Sequence, residues 1–140
     1  MTDAVDDVPN YGGGKCRPNV LFILADVLGW SDVSCYGQTR WHTPNIDRLA
    51  GEGMLFTDAY AASPVCSPTR ASILTGKYPH RTGLTGILEM ADIPYKVPTN
   101  AAVLPARTDN RLCPDETTIA EAFRTGGYTT ATDGKWHVGG

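Results

Sequence analysis

No stretch of this sequence is apolar for long enough to cross a bilayer: the longest run, residues 20–25, falls far short of the roughly 20 residues a spanning helix needs. Dense clusters of Lys and Arg are also missing. With 12 basic against 15 acidic residues and a net charge of -3, the chain has no electrostatic footprint for nucleic acid or an acidic membrane surface, and neither is expected as a partner. Residues 1–14 are polar and acidic and end in three glycines, so they lack the basic start and apolar core of a secretory signal. A flexible tail over residues 1–17 is expected, with the cytoplasm as the default location. Cys16, Cys35, Cys66 and Cys113 show neither close pairing nor zinc-type spacing. With Cys66 claimed for chemistry below, three remain, and a full disulfide framework is disfavoured. No internal repeat is visible.

What is present is the composition of an ordinary soluble domain, 41% hydrophobic and 19% charged. A chain of 140 residues is long enough to bury roughly two thirds of its unfolded surface in one unit. Its 15 Gly and 10 Pro imply many turns between short elements.

Residues 19–25 form a continuous apolar run between Pro18 and a Leu28-Gly29 turn, which suits a strand buried on both faces of a parallel sheet. Asp26 then stands at the strand's end. Thr43 is a candidate cap, Pro44 a first helical residue, and Ile46, Leu49 and Ala50 share one face of a helix stopped by Gly51 and Gly53. Residues 54–61 are strand-like. Ser67 is the expected cap of a helix that starts at Pro68 and ends at Gly76, which sets Cys66 at a helix N-terminus. Residues 87–114 carry four prolines and no sustained period, the mark of a long loop. Thr118 and Glu121 make a capping box, followed by Ile119, Ala122 and Phe123 on an apolar face and by Gly126 as a stop. Residues 128–132 complete the pattern as a strand. Alternating strands and helices predict an α/β layered fold whose ligand sites lie at the carboxyl ends of the strands, where Asp26 and Lys135 both fall.

A cysteine just before a helix faces unpaired backbone N–H groups and the positive end of the dipole, an arrangement that stabilises a thiolate or a bound oxyanion. Arg70 lies one turn further on and offers a planar guanidinium suited to two oxygens of a sulfate or phosphate. Asp26 supplies a hard oxygen donor for a divalent cation. From the composition, Cys-x-Pro-x-Arg is expected by chance only about 0.02 times in a chain of this length.

Cys66-Ser67-Pro68-Thr69-Arg70, followed by Ala71-Ser72-Ile73-Leu74-Thr75-Gly76, resembles the signature of the sulfatase family. Residues 18–26 with Leu28-Gly29-Trp30 resemble the family's opening strand, and Cys35-Tyr36-Gly37 with Thr43-Pro44-Asn45-Ile46-Asp47 its next segment. Gly127-Tyr128-Thr129-Thr130-Ala131 with Gly134-Lys135-Trp136-His137 resembles its second signature. The likeness follows the family's order from about Asn19 to Gly140, with only residues 87–114 unmatched. It implies an alkaline phosphatase-like fold with a mainly parallel sheet, residues 18–140 being the N-terminal part of a sulfatase catalytic domain.

The resemblance also implies a chemistry, the hydrolysis of sulfate esters. In sulfatases a separate enzyme oxidises the motif cysteine to formylglycine before folding is complete, and the hydrated aldehyde carries two hydroxyls. One attacks sulfur and displaces the alcohol; the other then collapses to the aldehyde and expels sulfate. Carried onto this chain, Cys66 is the formylglycine precursor, and Pro68 and Arg70 are read by the formylglycine-generating enzyme. Arg70 also steadies the hydrated aldehyde, Lys135 binds the sulfate, and His137 orients the nucleophile or contacts sulfate. Asp26 and Cys66 are implied as ligands of Ca2+.

The sequence departs from the family at Val27, where sulfatases have a second aspartate, so one anionic ligand of the calcium site is missing. Asp133 stands where the family has a small or apolar residue. The expected further calcium ligands, second lysine and second histidine have no counterpart in these 140 residues. Two alternatives stand beside sulfate ester hydrolysis: phosphonate or phosphate monoester hydrolysis at a similar site, and a non-catalytic remnant.

Overall fold

The computed structural model describes residues 17–88, 102, 103 and 108–139. The expected tail, apart from Arg17, and most of the 87–114 stretch lie outside the described residues. Within them the chain forms helices α1 (Pro44–Glu52), α2 (Cys66–Thr75), α3 (Pro79–Thr82) and α4 (Ile119–Thr125), with 3-10 turns at Trp30–Asp32 and Ser34–Tyr36.

Helix α1 begins at Pro44, whose missing N–H costs nothing in a first turn. Thr43 precedes it as expected, but its hydroxyl does not cap the helix backbone. It accepts from the Ser34 N–H at 2.9 Å and donates to Asp47 Oδ1 at 3.0 Å, which ties the helix to the preceding 3-10 turn. Gly51 stays inside α1 and Gly53 ends it. Of its expected apolar face Ile46 and Leu49 remain exposed and only Ala50 is covered in part.

Helix α2 begins at Cys66, with Val65 as its cap, two residues earlier than expected. Ser67 is therefore inside the first turn. It is fully buried, and its hydroxyl accepts from the Leu88 N–H at 3.3 Å. Pro68 fits because the N–H groups of a first turn have no intrahelical partner. The stop falls at Gly76 as expected, in the left-handed region at φ 67°. Helix α4 also follows its sequence signals: the Thr118 hydroxyl accepts from the Glu121 N–H, and the Glu121 carboxylate accepts from the Thr118 N–H at 2.7 Å. Of its expected apolar face only Phe123 is covered in part, edge-on against Tyr128 with ring centroids 5.0 Å apart. Ile119 and Ala122 stay exposed.

The three expected strands, over residues 19–25, 54–61 and 128–132, form no ladder among the described residues. A strand is held by hydrogen bonds to a neighbour, and none of these segments pairs with another. Leu21 and Ile23 are 85% and 77% exposed, where burial on two faces was expected.

The buried core lies elsewhere. Ala71 of α2, Leu84 after α3 and Val138 pack together, with Leu74, Leu88 and Leu112 against them. The end of the 87–114 stretch is thus part of the core: Leu112 N–H donates to the Val138 carbonyl at 2.8 Å, and Asp109 N–H donates to the Gly83 carbonyl at 2.9 Å. Lys77 pairs with Glu116 and braces the same segment against the end of α2. These contacts fix residues 135–139 beside the start of α2.

Gly139 has φ 91°, and a β-carbon there would lie 2.4 Å from Arg111 Cβ and 2.8 Å from its Cα. Gly134 has φ 93° but open space around it. Gly139→Ala is expected to cost clearly more than about 1 kcal/mol, and more than Gly134→Ala, in urea denaturation. Thr118→Ala should cost about 1 kcal/mol through loss of the α4 cap. The Glu121 carboxyl is held below the ordinary range by the backbone N–H of Thr118 and then by its hydroxyl. Its contribution to α4 is therefore present above the unfolded value and is lost as pH falls through the lowered one. An NMR titration of the Thr118 amide should show a midpoint below that of an unperturbed glutamate.

Candidate active site

The first turn of α2 places Cys66 and Arg70 on one end of the same helix, four residues apart and so on neighbouring positions of its surface. Ala71 has no exposed surface, and its contact with Val138 holds the helix against the segment that carries Lys135. The consequence is a group of four side chains from three places in the chain. Lys135 Nζ lies 3.4 Å from Cys66 Sγ and 3.0 Å from Asp26 Oδ2. Arg70 Nη2 donates to Asp26 Oδ1 at 3.0 Å, and Arg70 Nη1 donates to the Lys135 carbonyl. Asp26, Cys66, Arg70 and Lys135, all singled out in the sequence, thus meet.

Arg70 is the most enclosed of the charged groups, its side chain 12% exposed against 40% for Asp26 and Lys135. The Asp26 carboxyl is held below the usual aspartate range, first by the hydrogen bond from Lys135 and then by that from Arg70. The Lys135 ammonium is held above its usual range, first by Asp26 and then by Cys66. Both shifts favour the charged forms of Asp26 and Lys135. Cys66 is a free cysteine, half-buried, and the ammonium beside its sulfur is placed to meet negative charge that develops there.

His137 is half-buried two residues beyond Lys135, at φ 59° in the left-handed region. His42 and His80 are exposed. Trp30 stacks on Tyr36 with centroids 4.0 Å apart, and the Trp41 indole N–H donates to the Asp32 carbonyl. The Trp136 indole donates to the Gly139 carbonyl and helps to line a shallow cavity of about 380 Å³ with Arg111, Leu112, Cys113 and Glu116. Nothing in the pattern of residues 111–116 signalled this cavity, because a segment without period gives no face to read.

A hard divalent cation needs six to eight oxygens. Both Asp26 oxygens are taken by Lys135 and Arg70, and Val27 presents an exposed isopropyl group. No group of three or more His, Cys, Asp or Glu suited to a metal occurs among the described residues. The side chains present therefore do not by themselves fit a Ca2+ ion. Val27 also has φ 61°, a region that a β-branched residue rarely enters.

With this geometry in place, comparison with known proteins is informative. The sequence model of the family described as Sulfatase matches residues 18–140. The N-acetylgalactosamine-6-O-sulfatase of Bacteroides thetaiotaomicron is 41% identical over 91% of this chain and 22% of its own length. The N-acetylgalactosamine-6-sulfatase of Sus scrofa is 41% identical over 91% of this chain and 23% of its own length. Human steryl-sulfatase is 41% identical over 88% and 19%. A solved structure from work on the metabolism of multiple glycosaminoglycans by Bacteroides thetaiotaomicron superposes with a TM-score of 0.69 at 41% identity, covering 88% of this chain and 22% of that one. The chain spans about a fifth of the length of the relatives it matches. Signature cysteine, arginine and lysine gathered at one carboxylate, and a family match over nearly the whole chain, place this protein in the sulfatase family.

Proposed function

We propose that the chain carries the nucleophile side of a sulfuric ester hydrolase site, and the observation that supports this most directly is the 3.4 Å approach of Lys135 Nζ to Cys66 Sγ beside Arg70. Cys66 is the formylglycine precursor in this reading. The modified side chain would supply a hydrated aldehyde as nucleophile in place of the thiol. Lys135 binds the sulfate group, Arg70 holds the nucleophile through its fixed fork, and His137 orients it from the neighbouring segment. A divalent cation would take its remaining oxygens from outside these 140 residues, with Asp26 as the ligand contributed here. Residues 19–25, 54–61 and 128–132 are read as strands of a mainly parallel sheet that form once neighbours pair with them.

Recognition by a formylglycine-generating enzyme is constrained by burial. Ser67 and Pro68 have essentially no exposed surface, so an enzyme that reads this motif has to meet it before α2 packs against Leu84 and Val138.

Two outcomes are expected. Produced together with a formylglycine-generating enzyme, the chain should carry an aldehyde at Cys66, detected by peptide mass analysis and hydrazide capture; Cys66→Ala should carry none, and Arg70→Ala should reduce conversion severalfold. Unmodified thiol at Cys66, with a known sulfatase converted in the same cells, would sink the assignment. The 140 residues alone should hydrolyse an aryl sulfate no faster than buffer, because one carboxylate does not complete a cation site; calcium-dependent turnover by the pure chain would show that the site is sufficient.

A further inference from the structure

The site and its recognition use Cys66, Pro68 and Arg70 and leave out Ser67 and Thr69, the two positions between them. Both hydroxyls are nonetheless spent on the fold. Ser67 is fully buried and its Oγ accepts from the Leu88 N–H at 3.3 Å, while Thr69 Oγ1 donates to the Ser63 carbonyl at 2.7 Å. Residues two apart stand roughly 200° apart around a helix, so the two bonds grip different sides of the first turn of α2. One holds the end of segment 84–88 to the helix. Leu84, at the other end of that segment, packs on Ala71, which lies four residues on from Ser67 and on the same face. Between them the Thr108 hydroxyl accepts from the Thr85 and Gly86 N–H groups, both at 3.1 Å. The second bond ties Ser63, three residues before Cys66, back onto the helix.

We propose that the Ser67 and Thr69 hydroxyls are latches that close the motif as the chain folds and so end the interval in which Cys66 can be modified. The proposal rests on the reading of Cys66 as the formylglycine precursor. An enzyme that reads residues 66–70 needs them exposed, whereas here they are the first turn of a helix with Ser67 and Pro68 buried. Reopening that turn in the folded chain breaks both bonds: the Leu88 N–H loses its acceptor and the Ser63 carbonyl its donor. Local opening is an equilibrium, and capture that is slow beside reclosing proceeds in proportion to the open population. Removing one latch should therefore speed modification of the folded chain about fivefold, the weight of one net hydrogen bond, and removing both should speed it further.

The test follows aldehyde formation at Cys66 by peptide mass analysis when the purified, folded, unmodified 140-residue chain is treated with a purified formylglycine-generating enzyme. Wild type is compared with Ser67→Ala, Thr69→Val and the pair, with Thr69→Ser as the variant that keeps its hydroxyl. Thr118→Ala is the control for loss of a hydrogen bond elsewhere, and short unfolded peptides of the motif carry the same substitutions at 67 and 69. Hydrogen exchange at the Leu112 amide, bonded to the Val138 carbonyl, verifies that each variant is folded; should Ser67→Ala fail, Thr69→Val and Thr69→Ser carry the comparison. The expected result is faster conversion of Ser67→Ala and Thr69→Val chains, wild-type rates for Thr69→Ser and Thr118→Ala, and equal rates for all the peptides. Wild-type rates in the latch variants overturn the inference, as does an equal rise in Thr118→Ala. A change of the same size in the peptides also overturns it, since the hydroxyls would then act in recognition. In each of these cases converted wild-type peptide leaves the reading of Cys66 standing; a wild-type peptide that is never converted overturns that reading and the inference together.

Discussion

The site depends on one packing contact, the burial of Ala71 between Leu84 and Val138. Ala71 is adjacent to Arg70 and five residues from Cys66, so fixing its position fixes the end of α2 that carries both. Val138 is three residues from Lys135, and the same contact brings that lysine to the sulfur. A small side chain is required on the helix for so close an approach, since added methylenes in a filled core force shifts of the backbone. The hydrogen bond from Leu112 to the Val138 carbonyl and the Lys77 to Glu116 pair support this arrangement from the far side.

Around this core the apolar surface is poorly covered. Leu21, Ile23, Met54 and Tyr60 are each more than three-quarters exposed. The segments containing them have the residue types of buried strands, and β structure is cooperative between chains of residues distant in sequence. Helices α2 and α4 form within the described residues because their hydrogen bonds are local and their ends are specified by Val65, Gly76, Thr118 and Gly126. Local structure is complete where the pattern is local, and only there.

The electrostatics follow the same division. Arg70 and Lys135 each bond one oxygen of the same carboxylate, and the pairing pushes Asp26 and Lys135 further toward the charged state. Such exposed pairs contribute little to stability, as solvent and salt screen them. Their effect is on position: they determine what the cations face before any substrate arrives.

The sequence by itself determined the identity and spacing of the reactive groups. Cys66, Pro68 and Arg70 lie within five residues, and Lys135 and His137 within three, so their motifs are legible without coordinates. It determined the capping box of α4 and the stop of α2 at Gly76 for the same reason. It did not determine that α2 begins at Cys66, because Ser67 carries every local sign of a cap, and only its burial under Leu88 shows that its hydroxyl is used elsewhere. Nor did it show that Asp26 turns both oxygens to Arg70 and Lys135, or that Leu112 joins the core. Those partners are 44, 109 and 26 residues apart. Contacts over such separations leave no periodic trace in the chain, and only the tertiary structure, by packing Val138 against Ala71, decided them.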